Sequence, residues 1–172
     1  MTTLCVQQPY LKSNVYLADW SESWADKFQQ ESEAFRYLLG GNCLAIHHIG
    51  STSIPRLKAK PIIDMLVVVK SFNALENIDF SAYEVKGENG LAGRRYFQKN
   101  ENGVRITHIH MYEYGHANIS THLRFRDALR ANSELAQEYE QLKTKLAQKY
   151  HDNKPAYTQA KAGFIQKVLA TS

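Results

Sequence analysis

Residues 47–69 read HHIGSTSIPRLKAKPIIDMLVVV. A short apolar run over residues 44–49 leads into the turn Gly50-Ser51-Thr52-Ser53. A basic connection with Arg56, Lys58 and Lys60 follows, and residues 62–69 form a second apolar run carrying one carboxylate, Asp64. Both runs have strand length, and the second is β-branched and apolar enough to lie inside a sheet. A carboxylate embedded among Ile, Met, Leu and Val is costly unless it is paired or metal-bound. The Gly-Ser turn offers backbone N–H groups and hydroxyls suited to phosphate. The stretch therefore reads as a phosphate-and-metal site with one part missing.

Working outward, Ser21 or Ser23 is placed to cap a helix carrying Trp24, Phe28, Phe35 and Leu38-Leu39, which Gly40-Gly41 ends. Residues 1–20 read as irregular or extended. Ser71 caps a short helix through Leu75 and Ile78. Strands are expected at 83–86, 95–99 and 105–113, with a Gly-rich loop over 87–93 and an Asn102-Gly103 hairpin signal between the last two. Alternation in the last strand puts Ile106, His108, His110 and Tyr112 on one face. From Ala117 the period becomes helical: one helix over about 118–131 and a second from Ser133 to the Asp152–Pro155 punctuation. A last helix starts at Pro155 and buries Tyr157, Phe164, Ile165 and Val168. The expected class is α+β: one domain over residues 1–172, a small mixed or antiparallel sheet flanked by helices, and a helical C-terminal third.

Composition narrows the function. The chain has 172 residues, 44% hydrophobic and 22% charged, with a net charge of +4. That is an ordinary globular composition with a mild preference for anionic ligands. Its basic clusters lack the interleaved aromatics that stack bases, so nucleic acid is not indicated. No apolar run approaches the about 20 residues needed to span a bilayer, and the N-terminus has no secretory pattern. Cys5 and Cys43 have neither metal-ligand spacing nor a disulfide framework, and a reducing cytoplasm is the expected compartment.

Asp64 is the candidate metal ligand. Gly50, Ser51, Thr52 and Ser53 are candidates for holding a ligand phosphate, with Lys60 reaching the phosphate or neutralising Asp64. The plainer alternative is a hydroxyl-rich turn beside an Asp64 that caps or ion-pairs. His108 and His110 share a strand face, as two metal ligands or two phosphate donors would, and favour Zn²⁺ or Mn²⁺ over Mg²⁺. Half-buried structural imidazoles are the alternative. His47 and His48 point to opposite faces, so at most one meets Asp64. Arg124 and Arg126 are candidate phosphate contacts, as are Arg94 and Arg95, against a salt-bridged helix face through Asp127 and Arg130.

The combined pattern resembles the GrpB family. The residues that carry the resemblance are Ile49-Gly50-Ser51-Thr52-Ser53-Ile54-Pro55, Lys60-Pro61-Ile62-Ile63-Asp64, Val67-Val68-Val69, His108-Ile109-His110, Leu123 to Arg130, Tyr139 to Lys143, and Tyr157 with Lys161. The resemblance implies a nucleotidyltransferase-like fold related to the DNA polymerase β superfamily, and a link to dephospho-CoA kinase, to which such domains are found attached. That superfamily pairs its turn with two carboxylates separated by one residue. Here Asp64 is the first, and Leu66 stands where the second would be. Two-metal catalysis relies on bridging carboxylates, so Leu66 counts against it. The implied function is binding of a nucleotide or phosphorylated small molecule with a divalent metal (Mg, Mn or Zn), with nucleotidyl transfer by Asp64, His108 and His110. The alternative is a degenerate binding or accessory module without turnover.

Overall fold

The β-branched run around Asp64 becomes an interior strand. A computed structural model describes residues 15–171, and in it β2 (Ile63–Val69) lies between β1 (Cys43–Ile49) and β5 (Val104–Glu113). β3 (Glu84–Val85) and β4 (Arg94–Glu101) complete a five-stranded sheet in the order β1-β2-β5-β4-β3. Only the β2–β5 pair is parallel, so the sheet is mixed. The Asn102-Gly103 turn that joins β4 to β5 has positive φ at both residues, as a tight hairpin turn requires.

Strand alternation divides β2 between two layers. Met65, Val67 and Val69, with Ile109, Met111 and Phe97 of the neighbouring strands, pack against Trp24, Phe35 and Leu39 of α1 (Ser23–Leu39) to form the main core. α1 ends at Gly40, whose φ of +54° and N–H to the Arg36 carbonyl close the last turn. On the opposite face Leu66, Ile49 and Tyr112 are sealed by Ile119 and Leu123 of α2 (Ala117–Ala131). Asp64, His108 and Tyr96 lie on that face beyond the α2 contact.

The C-terminal helices roof this remaining surface. Asn132 caps α3 (Ser133–Lys149) through its side chain, and Asn153 caps α4 (Lys154–Ala160) in the same way. A third cluster joins Ile54, Leu57, Leu129 and Tyr139, with Phe164 of α5 (Ala162–Thr171) stacked 5.1 Å from Tyr139. The single last helix expected from the sequence is in fact two, α4 and α5, broken at Lys161. Gly163 just past the break weakens helical continuity. The break lets Tyr157 and Lys161 face the sheet while Phe164 reaches Tyr139. The short helix after Ser71 is a 3-10 turn over Phe72–Leu75, capped by the Ser71 hydroxyl. The irregular segment expected over residues 1–20 falls largely outside the described residues, and the part within them makes a single bridge, Ala18 to Ala59. Among the described residues no helix is long and apolar enough to cross a membrane.

Candidate functional site

Register brings the polar side chains together. Parallel pairing sets Asp64 level with His108 and Leu66 level with His110, while β4 sets Tyr96 beside His110 and Gln98 beside His108. Residues paired across strands share a face, so these side chains form one polar row. His108 Nδ1 lies 3.1 Å from Asp64 Oδ1, a hydrogen bond, and His110 Nε2 lies 3.8 Å from the same oxygen, an electrostatic contact only. Burial opposes ionisation of Asp64, but the two imidazoles outweigh it and hold the carboxyl below the usual carboxylate range.

Gly50 serves this carboxylate. Its φ is +69° and its ψ −176°, and a Cβ placed there would sit 2.4 Å from Asp64 Oδ2. The space expected to admit a ligand to the backbone is occupied by Asp64 itself. The turn hydroxyls are largely committed: Ser53 Oγ donates to the Gly50 carbonyl at 2.7 Å, and Thr52 Oγ1 lies 2.9 Å from His48 Nε2. Ser51 and Thr52 border the space beside Asp64, and Ser53 does not.

That space is a cavity of about 670 Å³ between the sheet and the C-terminal helices, within the usual size of small-molecule sites. Asp64, His108, His110 and Tyr96 form its floor, and Lys60, Lys143, Lys154 and Lys161 converge on it from the other side. The ammonium groups of Lys60 and Lys161 lie 4.8 and 4.5 Å from the centre of the same ring, Tyr157. Lys143 is 1% exposed and donates to the Lys58 carbonyl. Burial, and then repulsion among the lysines, lowers Lys60 to about 8 and Lys143 to about 7. Burial also lowers Lys154 and Lys161, helped by the charge of Arg105 at Lys154 and by that of Lys154 at Lys161, while Asp64 opposes the fall at both. Such clustering around one carboxylate is electrostatically unfavourable until an anion joins it.

Of the other candidates, Lys60 faces this cavity, but Arg124 and Arg126 do not line it. Arg126 binds Asp127 at 2.7 Å and the His48 carbonyl at 3.2 Å, Arg130 donates twice to the Ser53 carbonyl, and Arg124 reaches the Leu169 carbonyl. These arginines clamp α2 onto β1, the Gly-Ser turn and α5. His48 turns to the α1 face and stacks on Phe28 at 4.7 Å, while burial, followed by the nearby arginines, keeps its imidazole neutral down to about pH 4. His47 takes the α2 side, also lowered by burial. Arg95 lies over Phe72.

Sequence reasoning overlooked several cavity residues. Lys143 follows Tyr139 by one helical turn, a lysine on the apolar face of α3, which was a readable signal. Lys154, Tyr157 and Lys161 are spaced three and four apart, which would also put them on one face. His122 packs 5.1 Å from His110 across the α2–sheet contact and was not legible without the fold.

The Asp64, His108 and His110 trio does not fit a three-donor metal cage. Arg94 NH1 lies 3.3 Å from His110 Nδ1, and guanidinium can only donate. With Arg94 donating to Nδ1, a neutral His110 carries its proton on Nε2, which faces Asp64 and cannot ligate in that form. Among the described residues no group of three or more His, Cys, Asp or Glu side chains is placed to hold an ion. On this face a hard cation such as Mg²⁺ would have only the Asp64 carboxylate from the protein, with ligand phosphates and water completing its shell.

A family model, GrpB protein, matches residues 14–171. The chain belongs to the GrpB family. UPF0157 protein YqkA of Bacillus subtilis is 47% identical over 167 residues, an alignment covering 95% of this chain and 48% of that one. The chain thus spans about half the length of YqkA. Glutamate-rich protein GrpB of Alkalihalophilus pseudofirmus is 34% identical, covering 92% of this chain and 95% of its own. A crystal structure of conserved protein GrpB from Enterococcus faecalis superposes with a TM-score of 0.85 at 38% identity, over 91% of this chain and 96% of that one. The fold is therefore that of a GrpB protein.

Proposed function

We propose that the cavity binds a phosphorylated small molecule, a nucleotide being the best-fitting class, with its phosphates among Lys60, Lys143 and Lys161. The carrying observation is the convergence of Lys60, Lys143, Lys154 and Lys161 on a cavity whose only carboxylate among the described residues is Asp64. Phosphate oxygens relieve the repulsion that lowers these amines, and the Tyr96 and Tyr157 rings give a base or sugar an aromatic wall. Leu66 is fully buried beneath α2, which supports binding, or chemistry with few protein ligands, over two-metal nucleotidyl transfer. If a divalent metal takes part, it arrives with the phosphates. The free thiol of Cys43 suits a reducing cytoplasm.

A thermal-shift series with ATP, ADP and inorganic pyrophosphate, each with and without Mg²⁺, Mn²⁺ or Zn²⁺, tests the reading. A ligand at a hundredfold excess over its Kd stabilises by about 2.7 kcal/mol, enough to raise the melting temperature by several degrees. The expected rise is lost in a Lys60→Met, Lys161→Met double variant. A rise that survives in this variant, or no rise with any of these anions, contradicts it.

A further inference from the structure

We infer that Asp64, His108 and His110 form a metal-free polar cluster in which Asp64 fixes the tautomer of His108 and Arg94 that of His110, and that His108 Nε2 accepts a hydrogen bond from a hydroxyl of the bound ligand. The second half rests on the cavity reading above; the first does not.

Donor and acceptor chemistry decides the tautomers. Arg94 is 6% exposed and held on three sides: Nε donates to the Glu88 carbonyl at 3.1 Å, NH2 to the Asn89 carbonyl at 2.7 Å, and its plane lies 4.7 Å over Tyr96. Its loop is tied further by the Gly93 N–H to Glu88 Oε1 at 2.7 Å. Arg94 therefore stays where NH1 meets His110 Nδ1, and that nitrogen must present its lone pair. A neutral His110 is left with its proton on Nε2, aimed at Asp64. His108 faces the same carboxylate through its other nitrogen, Nδ1. A carboxylate accepts only, so a neutral His108 carries its proton on Nδ1 and its lone pair on Nε2. Two histidines two residues apart on one strand thus take opposite tautomers around one oxygen.

The cluster leaves one loose end. Among the described residues His108 Nε2 is the buried side-chain nitrogen or oxygen with no partner, and His108 lines the cavity. A buried acceptor without a donor is an incomplete arrangement. An unprotonated phosphate oxygen cannot complete it, because a lone pair repels a lone pair. The completing group must carry an O–H or N–H, which points to a phosphorylated molecule with a hydroxyl, such as a sugar phosphate or the ribose of a nucleotide. Arg94 acts through His110 and is a positioning residue.

Long-range ¹H–¹⁵N correlation spectra of the uniformly labelled full chain at pH 7.5 test both halves, with assignments from His108→Gln and His110→Gln. The expected unliganded spectrum shows His108 as the Nδ1–H tautomer and His110 as the Nε2–H tautomer, neither altered by one equivalent of Zn²⁺. Identical tautomers, or Zn²⁺ moving a nitrogen of each ring, overturns the metal-free cluster. Arg94→Met should mix the His110 tautomers and leave His108 unchanged; an unaltered His110 overturns the positioning role, and the wild-type spectrum stands even if this variant fails to fold. For the acceptor role the probes are ribose 5-phosphate and inorganic pyrophosphate. Ribose 5-phosphate should shift His108 Nε2, and His108→Gln should weaken it about tenfold, the worth of one hydrogen bond, with pyrophosphate affected less than twofold. Ribose 5-phosphate that binds without moving His108 Nε2 overturns the acceptor role and leaves the anion reading standing. Failure of both probes to bind overturns the anion reading and the acceptor role together.

Discussion

Replacing Gly50 with alanine tests how tightly the turn and Asp64 are interlocked. Backbone at φ +69° and ψ −176° is essentially reserved for glycine, and holding an alanine there costs about 1–3 kcal/mol. The new Cβ also meets Asp64 Oδ2 at 2.4 Å, against the 3.4 Å of ordinary contact, and Asp64 Cβ at 3.0 Å. The carboxylate must therefore retreat by an amount that breaks its bond to His108, a charge-assisted interaction worth about 1.5–3 kcal/mol. Because the Asp64 side chain keeps 28% of its exposure, water replaces part of that loss, and the total is about 3–4 kcal/mol. For a chain of this length that lowers the melting temperature by about 6–16 °C. Urea denaturation of Gly50→Ala, Asp64→Ala and the double variant measures it. Removing the carboxylate relieves the oxygen clash but not the backbone strain or the Cβ contact, so the double variant should be less destabilised than the sum by about 1–2 kcal/mol. A Gly50→Ala protein within about 0.5 kcal/mol of wild type, or strictly additive variants, would refute the interlock.

Other consequences are as direct. Pyrophosphate affinity, followed by calorimetry, should fall as pH rises through about 7 and then about 8, where Lys143 and Lys60 lose the protons that hold the anion. Stability in urea should decline as pH drops from about 6.5 to about 4: buried His48 and His122 stay neutral in the fold to about 4, whereas their unfolded counterparts take up protons near 6.5. Asp64, held below the usual carboxylate range, adds a further loss below about pH 4, as the unfolded carboxylate protonates first. Leu66→Asp should destabilise by more than the about 2–5 kcal/mol of Leu66→Ala, since it buries a charge under Ile119 and Leu123. Equal losses in denaturation, or a gain of Mg²⁺ binding, would contradict that burial.

The elements that announce themselves locally were legible in the chain. The run over residues 62–69 could only be an inner strand. The Asn102-Gly103 pair could only be a tight turn, and alternation from Ile106 to Tyr112 put His108 and His110 on one face. That Asp64 meets these histidines depends on β2–β5 pairing between segments over forty residues apart, which local pattern does not encode. The lysines were harder still. Lys143 looks like one more charge on an amphipathic helix until α3 folds over the sheet, and Lys161 looks mid-helical until the chain breaks there. Arg124 and Arg126 were ambiguous in a different way. Their spacing is that of a ligand-binding or an ion-paired face equally, and tertiary carbonyls, invisible in sequence, took their donors. Gly50 was singled out for its freedom of approach, but the group that approaches is the protein's own carboxylate.

A crystal structure of the protein grown with inorganic pyrophosphate tests the central claim most directly. The account predicts the anion inside the cavity, within hydrogen-bonding distance of at least two of the Lys60, Lys143 and Lys161 ammonium groups. Pyrophosphate bound only on the outer surface, at Arg56 or Lys58, or a cavity free of it under conditions that saturate binding in solution, would contradict it.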